Sequence, residues 1–344
     1  MNTQMRLFLF LIFFLVGCNQ GERLESQESR ARPKAVARRG SVNLKTEYDL
    51  SNLSIPEDQI HRLLPRDAIP ALTDPKRESV KEATTWLNPD ARVIAVKIGG
   101  DVLGVPLQIL NYHEIANVTV GGKPIAVTYC PLCDSATVFS RLLKPSGDKG
   151  NAAVDEQGNS SEAITLEFGV SGALFNSNVL MYDTTERGLW SQLGMEAVSG
   201  PRQGTRLEML PIELITFRAF AAAFPTAELI SHQTGHIRNY QQTPYTQYFS
   251  NNDLMVPVWN YKNDLPEKTL GVGIATDQNA WFVPQQNLDI VREIQTDLGL
   301  VKLARSEAGI QVVEAPAGVR TAQTFYYSWT AFYPESKLVT RKQD

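Results

Sequence analysis

Short apolar runs rich in β-branched residues recur along the chain from about residue 90, and turn residues bound each of them. Val93–Ile98, Ile125–Tyr129 and Val179–Tyr182 are typical, and two Gly-Gly pairs, at 99–100 and 121–122, separate such runs. Runs of four to six residues fit strands better than helices. Helices are predicted in three segments that end near proline or glycine: residues 78–87, 213–224 and 288–298. The pattern predicts a mainly β fold with a few helices, a β-rich α+β class.

Two parts of the chain also resemble each other. Ile69–Leu72 followed by Val93–Ile98 is echoed by Val256–Trp259 followed by Thr269–Ile274, and residues 220–229 are echoed by 329–338. Two copies of one β-rich unit would explain both echoes. We therefore expect an internally duplicated β-sheet or barrel-like unit, with pseudo-repeats at about 62–200 and 245–340. Chance similarity between hairpins is the alternative, because the matching stretches are short.

The first residues predict export and lipid attachment. Arg6 precedes Leu7–Val16, which contains no polar residue and is followed by Gly17-Cys18. These ten apolar residues fall short of the roughly 20 that cross a bilayer as a helix. The segment 1–17 is expected to be a cleaved signal peptide, and Leu15–Cys18 resembles the lipobox of bacterial lipoproteins, in which the cysteine is acylated. An ordinary cleaved signal beside a chance cysteine is the alternative.

This resemblance also implies a location. Acyl chains such as palmitate on Cys18 would hold the protein in the membrane, and Asn19, where the inner-membrane retention signal usually has Asp, favours the outer membrane. We therefore expect a lipoprotein of the bacterial cell envelope, on the periplasmic face of the outer membrane.

Composition divides the rest of the chain. Residues 18–45 are highly charged and contain no aromatic residue, which is typical of a flexible tether. Residues 46–344 are long enough for a single β-rich globular domain with a substantial core. The net charge of −4 argues against nucleic acid as a partner. The partner that the sequence does indicate is the membrane, through the lipid anchor, and no protein partner is identified.

The chain contains only three cysteines, and two of them form the motif Cys130-Pro131-Leu132-Cys133. The motif lies between two predicted strands, so it lacks the helix N-terminus that lowers the thiol pKa in helical CxxC motifs. Three chemistries are open to it: a metal site, a reversible dithiol and a plain structural disulfide. Such a disulfide would add little stability, because its ring is so short.

A metal site would need ligands beyond the two thiolates. Two thiolates supply half of a tetrahedral zinc site, and soft sulfur ligands also suit copper(I). His113 is the first candidate for a further ligand, and Met181 or Met195 could add a thioether to copper. The alternatives are a hydrogen-bonded strand histidine and two core methionines. A zinc or copper ion is thus the candidate cofactor.

Several motifs follow one another in the chain: Ile109–Ile115, Tyr129–Cys133, Phe168–Gly172, Asn176–Asn178, Met181–Asp183, Leu189–Gln192 and Trp329–Pro334. Together they resemble the bacterial domain of unknown function 3179, over roughly residues 62–339. The resemblance implies an exported bacterial protein but no assigned reaction, substrate or cofactor. One departure is Asp134, where family members commonly have glycine. Glycine would permit a positive φ, whereas the carboxylate is expected to raise the pKa of the thiols.

The second candidate surface is Phe168–Gly172 with the amides of Asn176 and Asn178. Its two glycines let the backbone approach a partner closely, and the two amides can donate and accept hydrogen bonds. Ser171 misses the G-x-S-x-G spacing of a nucleophile elbow, so hydrolase chemistry is not favoured. A β-bulge is the favoured interpretation of this stretch.

Three functions follow for this envelope protein. The first is metal binding by Cys130 and Cys133 with help from His113, and the second is thiol exchange by the same pair. The third is a non-catalytic scaffold that binds an envelope partner or glycan. The four histidines and scattered carboxylates form no recognisable catalytic triad, so the sequence alone does not make the protein an enzyme.

Overall fold

The computed structural model describes residue 35 and residues 43–143, 163–288, 291–306 and 309–340. Within these ranges the chain is mainly β, as predicted, with short helices between strands. The α-helices are α1 (Val80–Ala83), α2 (Leu107–His113), α3 (Phe217–Ala223), α4 (Thr246–Phe249) and α5 (Tyr326–Phe332), and 3-10 turns cover Leu44–Thr46, Glu57–Gln59 and Gln285–Asn287.

Most of the strands are short. In chain order they are β1 (His61–Arg62), β2 (Leu72–Thr73), β3 (Arg77–Ser79), β4 (Arg92–Ile98), β5 (Asp101–Pro106), β6 (Ile115–Val120), β7 (Lys123–Cys130), β8 (Ser135–Ser140), β9 (Leu142–Leu143), β10 (Ile164–Thr165), β11 (Phe168–Phe175), β12 (Asn178–Asp183), β13 (Leu189–Ser191), β14 (Glu196–Ala197), β15 (Glu213–Thr216), β16 (Glu228–Ile230), β17 (Leu270–Ala275), β18 (Ala280–Pro284), β19 (Val291–Thr296), β20 (Gly299–Ser306), β21 (Gly309–Glu314), β22 (Arg320–Phe325) and β23 (Lys337–Leu338).

Two eight-stranded sheets dominate the fold. One has the strand order β19-β20-β21-β15-β4-β5-β16-β3, and the other has the order β2-β6-β7-β8-β22-β17-β18-β23. In each sheet the first and last strands do not pair with each other, so the described strands form open sheets and not a closed barrel.

A unit of four strands occurs twice, with one copy in each of the two sheets. In the first copy, β15 pairs antiparallel with β4, β4 pairs antiparallel with β5, and β5 pairs parallel with β16. In the second copy, β22, β17, β18 and β23 repeat this order with the same directions. The helices α3 and α5 connect the outer strands of the respective copies. The duplication inferred from the echoes is therefore a duplication of topology, with matching elements at 92–230 and 270–338.

The two copies are interlocked. After the hairpin β4-β5 the chain forms the meander β6-β7-β8, and this meander joins the sheet of the second copy through β8 and β22, where Ala136 lies opposite Gln323. After the hairpin β17-β18 the meander β19-β20-β21 joins the sheet of the first copy, where Gln311 lies opposite Glu213. Each large sheet therefore contains strands from both copies.

Two apolar cores also repeat. Ile94 and Val105 of the hairpin β4-β5 share one core with Val118 and Val127 of the meander β6-β8. An equivalent core joins the hairpin β17-β18 to the meander β19-β21. Burial of a Val, Leu or Ile side chain contributes about 1.5–3 kcal/mol, so these cores hold each hairpin against the meander that follows it.

A third sheet consists of four strands inserted between β8 and β15 together with β1 at its edge, and the second copy has no equivalent among its described strands. Its strand order is β1-β11-β12-β13-β14. Cys130 and Cys133 belong to the large core cluster that also contains Phe168 and Trp190 of the inserted sheet and Trp329 of α5. The cysteine turn therefore lies among three separate parts of the chain.

Some local predictions were wrong. Residues 288–298 were predicted as a helix, but Val291–Thr296 form strand β19, whose alternating exposed and half-buried or buried side chains follow the two-residue period of a strand. The predicted helix 213–224 begins with strand β15, and the predicted helix 78–87 is reduced to the single turn of α1. Across the described part of the chain, the helices are all too short or too polar to pass through a lipid bilayer.

Candidate functional site

The motif Cys130–Cys133 forms the tight turn between two antiparallel neighbours, as predicted. Strand β7 ends at Cys130 and β8 begins at Ser135, and these two residues lie opposite each other. The Cys133 N–H donates to the Cys130 carbonyl at 3.2 Å, which closes the turn. Both cysteines are free thiols with 0% exposure. Asp134 adopts φ 46°, so it takes the left-handed conformation that glycine adopts most readily.

The start of α5 holds the turn from one side. The Cys133 carbonyl accepts hydrogen bonds from the Phe325 N–H at 2.8 Å and from the Thr324 hydroxyl at 3.0 Å. The Tyr327 hydroxyl donates to the Leu132 carbonyl at 2.9 Å and lies 3.6 Å from the Cys133 Sγ. The backbone of the turn is therefore fixed by the C-terminal part of the second copy.

The hairpin between β11 and β12 holds the turn from the other side. Its two central residues, Asn176 and Ser177, have φ values of 50° and 61°, as in the turns that suit a two-residue hairpin. This conformation places the Ser177 carbonyl 3.1 Å from the Cys133 Sγ, which donates to it. The Asn176 side chain donates to the Ala331 carbonyl and accepts from the Trp259 N–H. The amide of Asn176 is thus structural, since it ties the hairpin to α5.

A buried polar network supports the same turn. The side-chain oxygen Oε1 of Gln192 accepts from the Ser135 hydroxyl at 2.7 Å and from the Asn178 side-chain amide at 2.8 Å. The Gln192 amide donates in turn to the Ser135 carbonyl and to the Thr128 hydroxyl, each at 3.1 Å. Such fully buried networks are costly unless their members are paired, and this one is closed around the strand ends that carry the cysteines.

The two thiols differ in acidity. Burial raises the pKa of the Cys133 thiol, yet hydrogen bonds outweigh burial and hold that pKa below its ordinary value. The polar groups that lower it are the Cys130 thiol and the side chains of Ser328, Asn178 and Tyr327, and the Tyr327 hydroxyl lies 3.6 Å from the sulfur. Burial raises the pKa of the Cys130 thiol, and the neighbouring Cys133 adds to this rise. The two thiols therefore differ in pKa, which is raised at Cys130 and lowered at Cys133, and the protonated Cys133 thiol donates to the Ser177 carbonyl.

A buried carboxyl group lies beside the pair. Glu114 ends α2 with φ 57°, and its carbonyl accepts from the N–H of Tyr129, the residue before Cys130. Its side chain is buried, with 6% of its surface exposed. Burial raises the pKa of Glu114 to about 8, and the adjacent Cys133 adds to this rise. Near neutral pH this carboxyl group is largely protonated, so it can release or accept a proton in the pH range where thiols react.

Asp134 is paired rather than left facing the sulfurs. Its carboxylate accepts from the Arg92 Nη1 at 2.8 and 2.9 Å and from the Tyr129 hydroxyl at 2.8 Å. Its negative charge is thus offset by a guanidinium. The expected rise in thiol pKa is absent at Cys133, whose pKa is lowered.

The candidate metal ligands have other partners. The Nδ1 of His113 lies 2.7 Å from the Pro70 carbonyl, and its Nε2 lies 2.7 Å from the Tyr240 hydroxyl. Burial lowers the pKa of His113 to about 4, so the imidazole is neutral at pH 7. Met181 and Met195 are buried in the same core cluster as the cysteines. Within the described ranges no three His, Cys, Asp or Glu side chains converge as metal ligands would.

The second candidate surface is a β-bulge, as the favoured interpretation held. The register between β11 and β12 shifts between Val170 and Leu174. At the bulge the Ser171 hydroxyl donates to the Leu180 carbonyl at 2.5 Å. Gly172 has φ 71°, and a Cβ there would come within 2.2 Å of the Leu64 carbonyl oxygen. Ser171 is therefore engaged in holding the bulge.

Sequence reasoning missed several members of the site. Tyr327 and Ser328 directly precede the motif Trp329–Pro334, yet nothing local connects them to cysteines that lie 194 residues away. Glu114 lay within a motif but was not singled out. Tyr248 of α4, whose hydroxyl lies 3.2 Å from that of Tyr327, had no signal at all.

The fold and site define a mainly β protein of two interlocked repeats with a buried dithiol. A sequence model of the family described as "Protein of unknown function (DUF3179)" matches residues 66–318. The chain belongs to this family. No curated protein and no solved structure matches it.

Proposed function

We propose that the protein is a dithiol redox protein in which Cys130 and Cys133 convert between two thiols and one disulfide. The observation that carries this proposal is geometric: two free, buried thiols lie at the two ends of one tight turn, which the Cys133 N–H closes by donating to the Cys130 carbonyl at 3.2 Å. Thiol exchange requires one thiolate as the attacking group. The lowered pKa of Cys133 supports its role as that group.

The proposed reaction takes a disulfide-bonded reactant. The Cys133 thiolate attacks one sulfur of the reactant disulfide, and the other sulfur leaves as a thiolate. Cys130 then loses its proton and attacks Cys133, which releases the second thiolate. The pair thus loses two electrons and two protons, while the reactant gains both as its S–S bond becomes two thiols. We assign Glu114, whose carboxyl group acts electrostatically on Cys130, as the group that takes the proton of Cys130 once its own carboxyl is ionised.

The proposed reaction requires that the reactant reach the two sulfurs. Both cysteines have 0% exposure, and α4 contributes Tyr248 to their surroundings. The Lys268 ammonium lies 3.5 Å from the centre of the Tyr248 ring and donates to the Tyr248 carbonyl. Because the sulfurs are buried, a low-molecular-weight disulfide is a more suitable reactant than a folded protein. Displacement of α4, which carries Tyr248, would expose the sulfurs to such a reactant.

The experiment is a redox titration. The protein is equilibrated in glutathione buffers of different ratios, quenched with acid and alkylated, and the Cys130–Cys133 linkage is followed by peptide mass mapping. Structural disulfides have potentials below about −300 mV, so we expect a midpoint above that value. Cys130→Ser and Cys133→Ser should each abolish the transition. Thiols that stay free in every buffer, or a midpoint below that value, would contradict the proposal.

Metal binding by the same pair stays a prediction. Two thiolates alone suit a soft ion such as copper(I), whereas zinc would need further ligands, and recruitment of His113 would break its bond to Pro70 or Tyr240. Elemental analysis of protein purified under reducing conditions tests this function. A stoichiometric metal that Cys130→Ser removes would support it.

The non-catalytic scaffold function predicts instead that partner binding survives loss of both thiols.

The lipid anchor is also a proposal, since residues 1–34 lie outside the described part of the chain. The apolar run before Cys18 and the charged stretch after it support a lipoprotein of the cell envelope. Metabolic labelling with palmitate should mark the wild-type protein and fail to mark Cys18→Ala. Equal labelling of both would rule out Cys18 as the acylated residue.

A further inference from the structure

A groove of about 410 Å³ runs along the outside of the cysteine turn. Tyr129 and Asp134, which flank the turn, line it together with Leu107, Phe249 and Phe325. Its volume falls within the range of about 300–1,000 Å³ that is usual for ligand pockets. The groove is thus large enough for a ligand and is separate from the buried sulfurs.

Three buried polar atoms at this groove have no hydrogen-bond partner among the described residues. They are the Arg92 Nη2, the Gln108 Oε1 and the Asn111 Oδ1. Gln108 and Asn111 are three positions apart on α2, so their side chains lie on the same face of the helix. Buried polar groups are nearly always paired in folded proteins, so their clustering beside one groove points to a ligand that supplies the partners when these side chains rotate into the groove.

The charges at the groove disfavour an anionic ligand, because two carboxylates, Asp90 and Asp134, and one guanidinium, Arg92, line it. The Arg92 guanidinium already donates through Nη1 to both oxygens of Asp134, so its positive charge is offset. An anion placed at the free Nη2 would meet the Asp134 carboxylate and be repelled. A neutral carbonyl oxygen can accept from Nη2 without this repulsion.

The unpaired atoms also set the chemistry of that ligand. Nη2 requires an acceptor, while the oxygens of Gln108 and Asn111 require donors. A peptide group provides both, a C=O and an N–H. Leu107, Phe249 and Phe325 add apolar walls to the groove, and these suit a side chain of the ligand. We propose that this groove binds a short extended peptide through its backbone amides, a site that needs neither thiol.

The probes are four tripeptides with an acetylated N-terminus and an amidated C-terminus, which differ in the central residue: Ala, Phe, Lys or Asp. Binding to the full chain is followed by NMR chemical-shift changes under reducing conditions. The variants are the double substitution Gln108→Ala/Asn111→Ala and, as a matched control, Gln203→Ala, an exposed amide outside the groove. Acetate and maltotriose serve as an anion and a glycan for comparison.

We expect at least one tripeptide to bind, with the Phe probe binding most tightly because of the apolar walls. Each lost hydrogen bond should weaken binding by roughly three- to tenfold, so the double variant should bind at least about tenfold more weakly, while Gln203→Ala binds as the wild type does. Cys130→Ser should also bind normally, which separates this site from the proposed redox function. The proposal is overturned if all four tripeptides fail to bind, if the double variant binds as the wild type does, or if maltotriose or acetate binds in their place.

Discussion

Replacement of Glu114 by glutamine tests how the buried carboxyl group affects the protein. Burial raises the pKa of Glu114 from its ordinary 4.5 to about 8, whereas in the unfolded chain the group regains its ordinary value. Below pH 4.5 both states hold the proton. Between pH 4.5 and 8 the folded protein keeps the proton and the unfolded chain has released it, so rising pH favours the unfolded chain.

The size of this effect follows from the two pKa values. Each pH unit between them removes about 1.4 kcal/mol from the free energy of unfolding, so the loss approaches roughly 5 kcal/mol by pH 8. That is comparable with the entire stability of many domains, about 5–15 kcal/mol. Glu114→Gln carries no ionisable group at this position, so its free energy of unfolding should not show this loss as the pH rises. Relative to the wild type it should gain a few kcal/mol between pH 4.5 and 8.

Urea denaturation at half-unit pH intervals, under reducing conditions, measures the free energy of unfolding of both proteins. A constant offset caused by the amide does not matter, because the prediction concerns how their difference changes with pH. Glu335→Gln, at an exposed position, is the control and should run parallel to the wild type. If the Glu114→Gln curve is also parallel to the wild type across this range, the burial argument for Glu114 is refuted.

Two further substitutions test other parts of the site by the same denaturation assay. Gly172→Ala should destabilise the protein by about 3 kcal/mol, since it combines a positive φ with a clash against the Leu64 carbonyl. Gly122→Ala, with φ 74° and open space around the new Cβ, should cost only about 1–2 kcal/mol, and equal losses would contradict the role of the clash. Asp134→Asn keeps a residue that tolerates the left-handed conformation but removes the charge that Arg92 binds. It should cost about 1–2 kcal/mol at low salt, and an unchanged stability would show that the partly exposed ion pair contributes nothing.

The mainly β class and many strands could be predicted because alternation and turn residues are local signals. Val93–Ile98 lies within β4, and the turn at Cys130–Cys133 lies between neighbouring strands as expected. The helix predicted at 288–298 failed because Val291–Thr296 contains polar residues that also suit a strand with one exposed face. There, pairing with β20 overrode the local preference.

Only some residues of the site could be predicted from the sequence. The cysteine pair was visible as a motif, and Asn178 was singled out as a candidate. Tyr327 and Ser328 reach the sulfurs because β22 and α5 of the second copy are placed beside β8 of the first. A pairing between distant strands leaves no local periodicity, so the sequence could not reveal which tyrosine lies beside Cys133.

The interlocking of the two repeats has a consequence for how the chain folds. The sheet that contains β4 is completed only by β19–β21, and the sheet that contains β7 needs β17 and β22. Contacts so distant in sequence make folding slow, because neither half can satisfy its own strand edges until nearly the whole chain is available. Unfolding of the two repeats should accordingly be one cooperative event, in which fluorescence and circular dichroism change together.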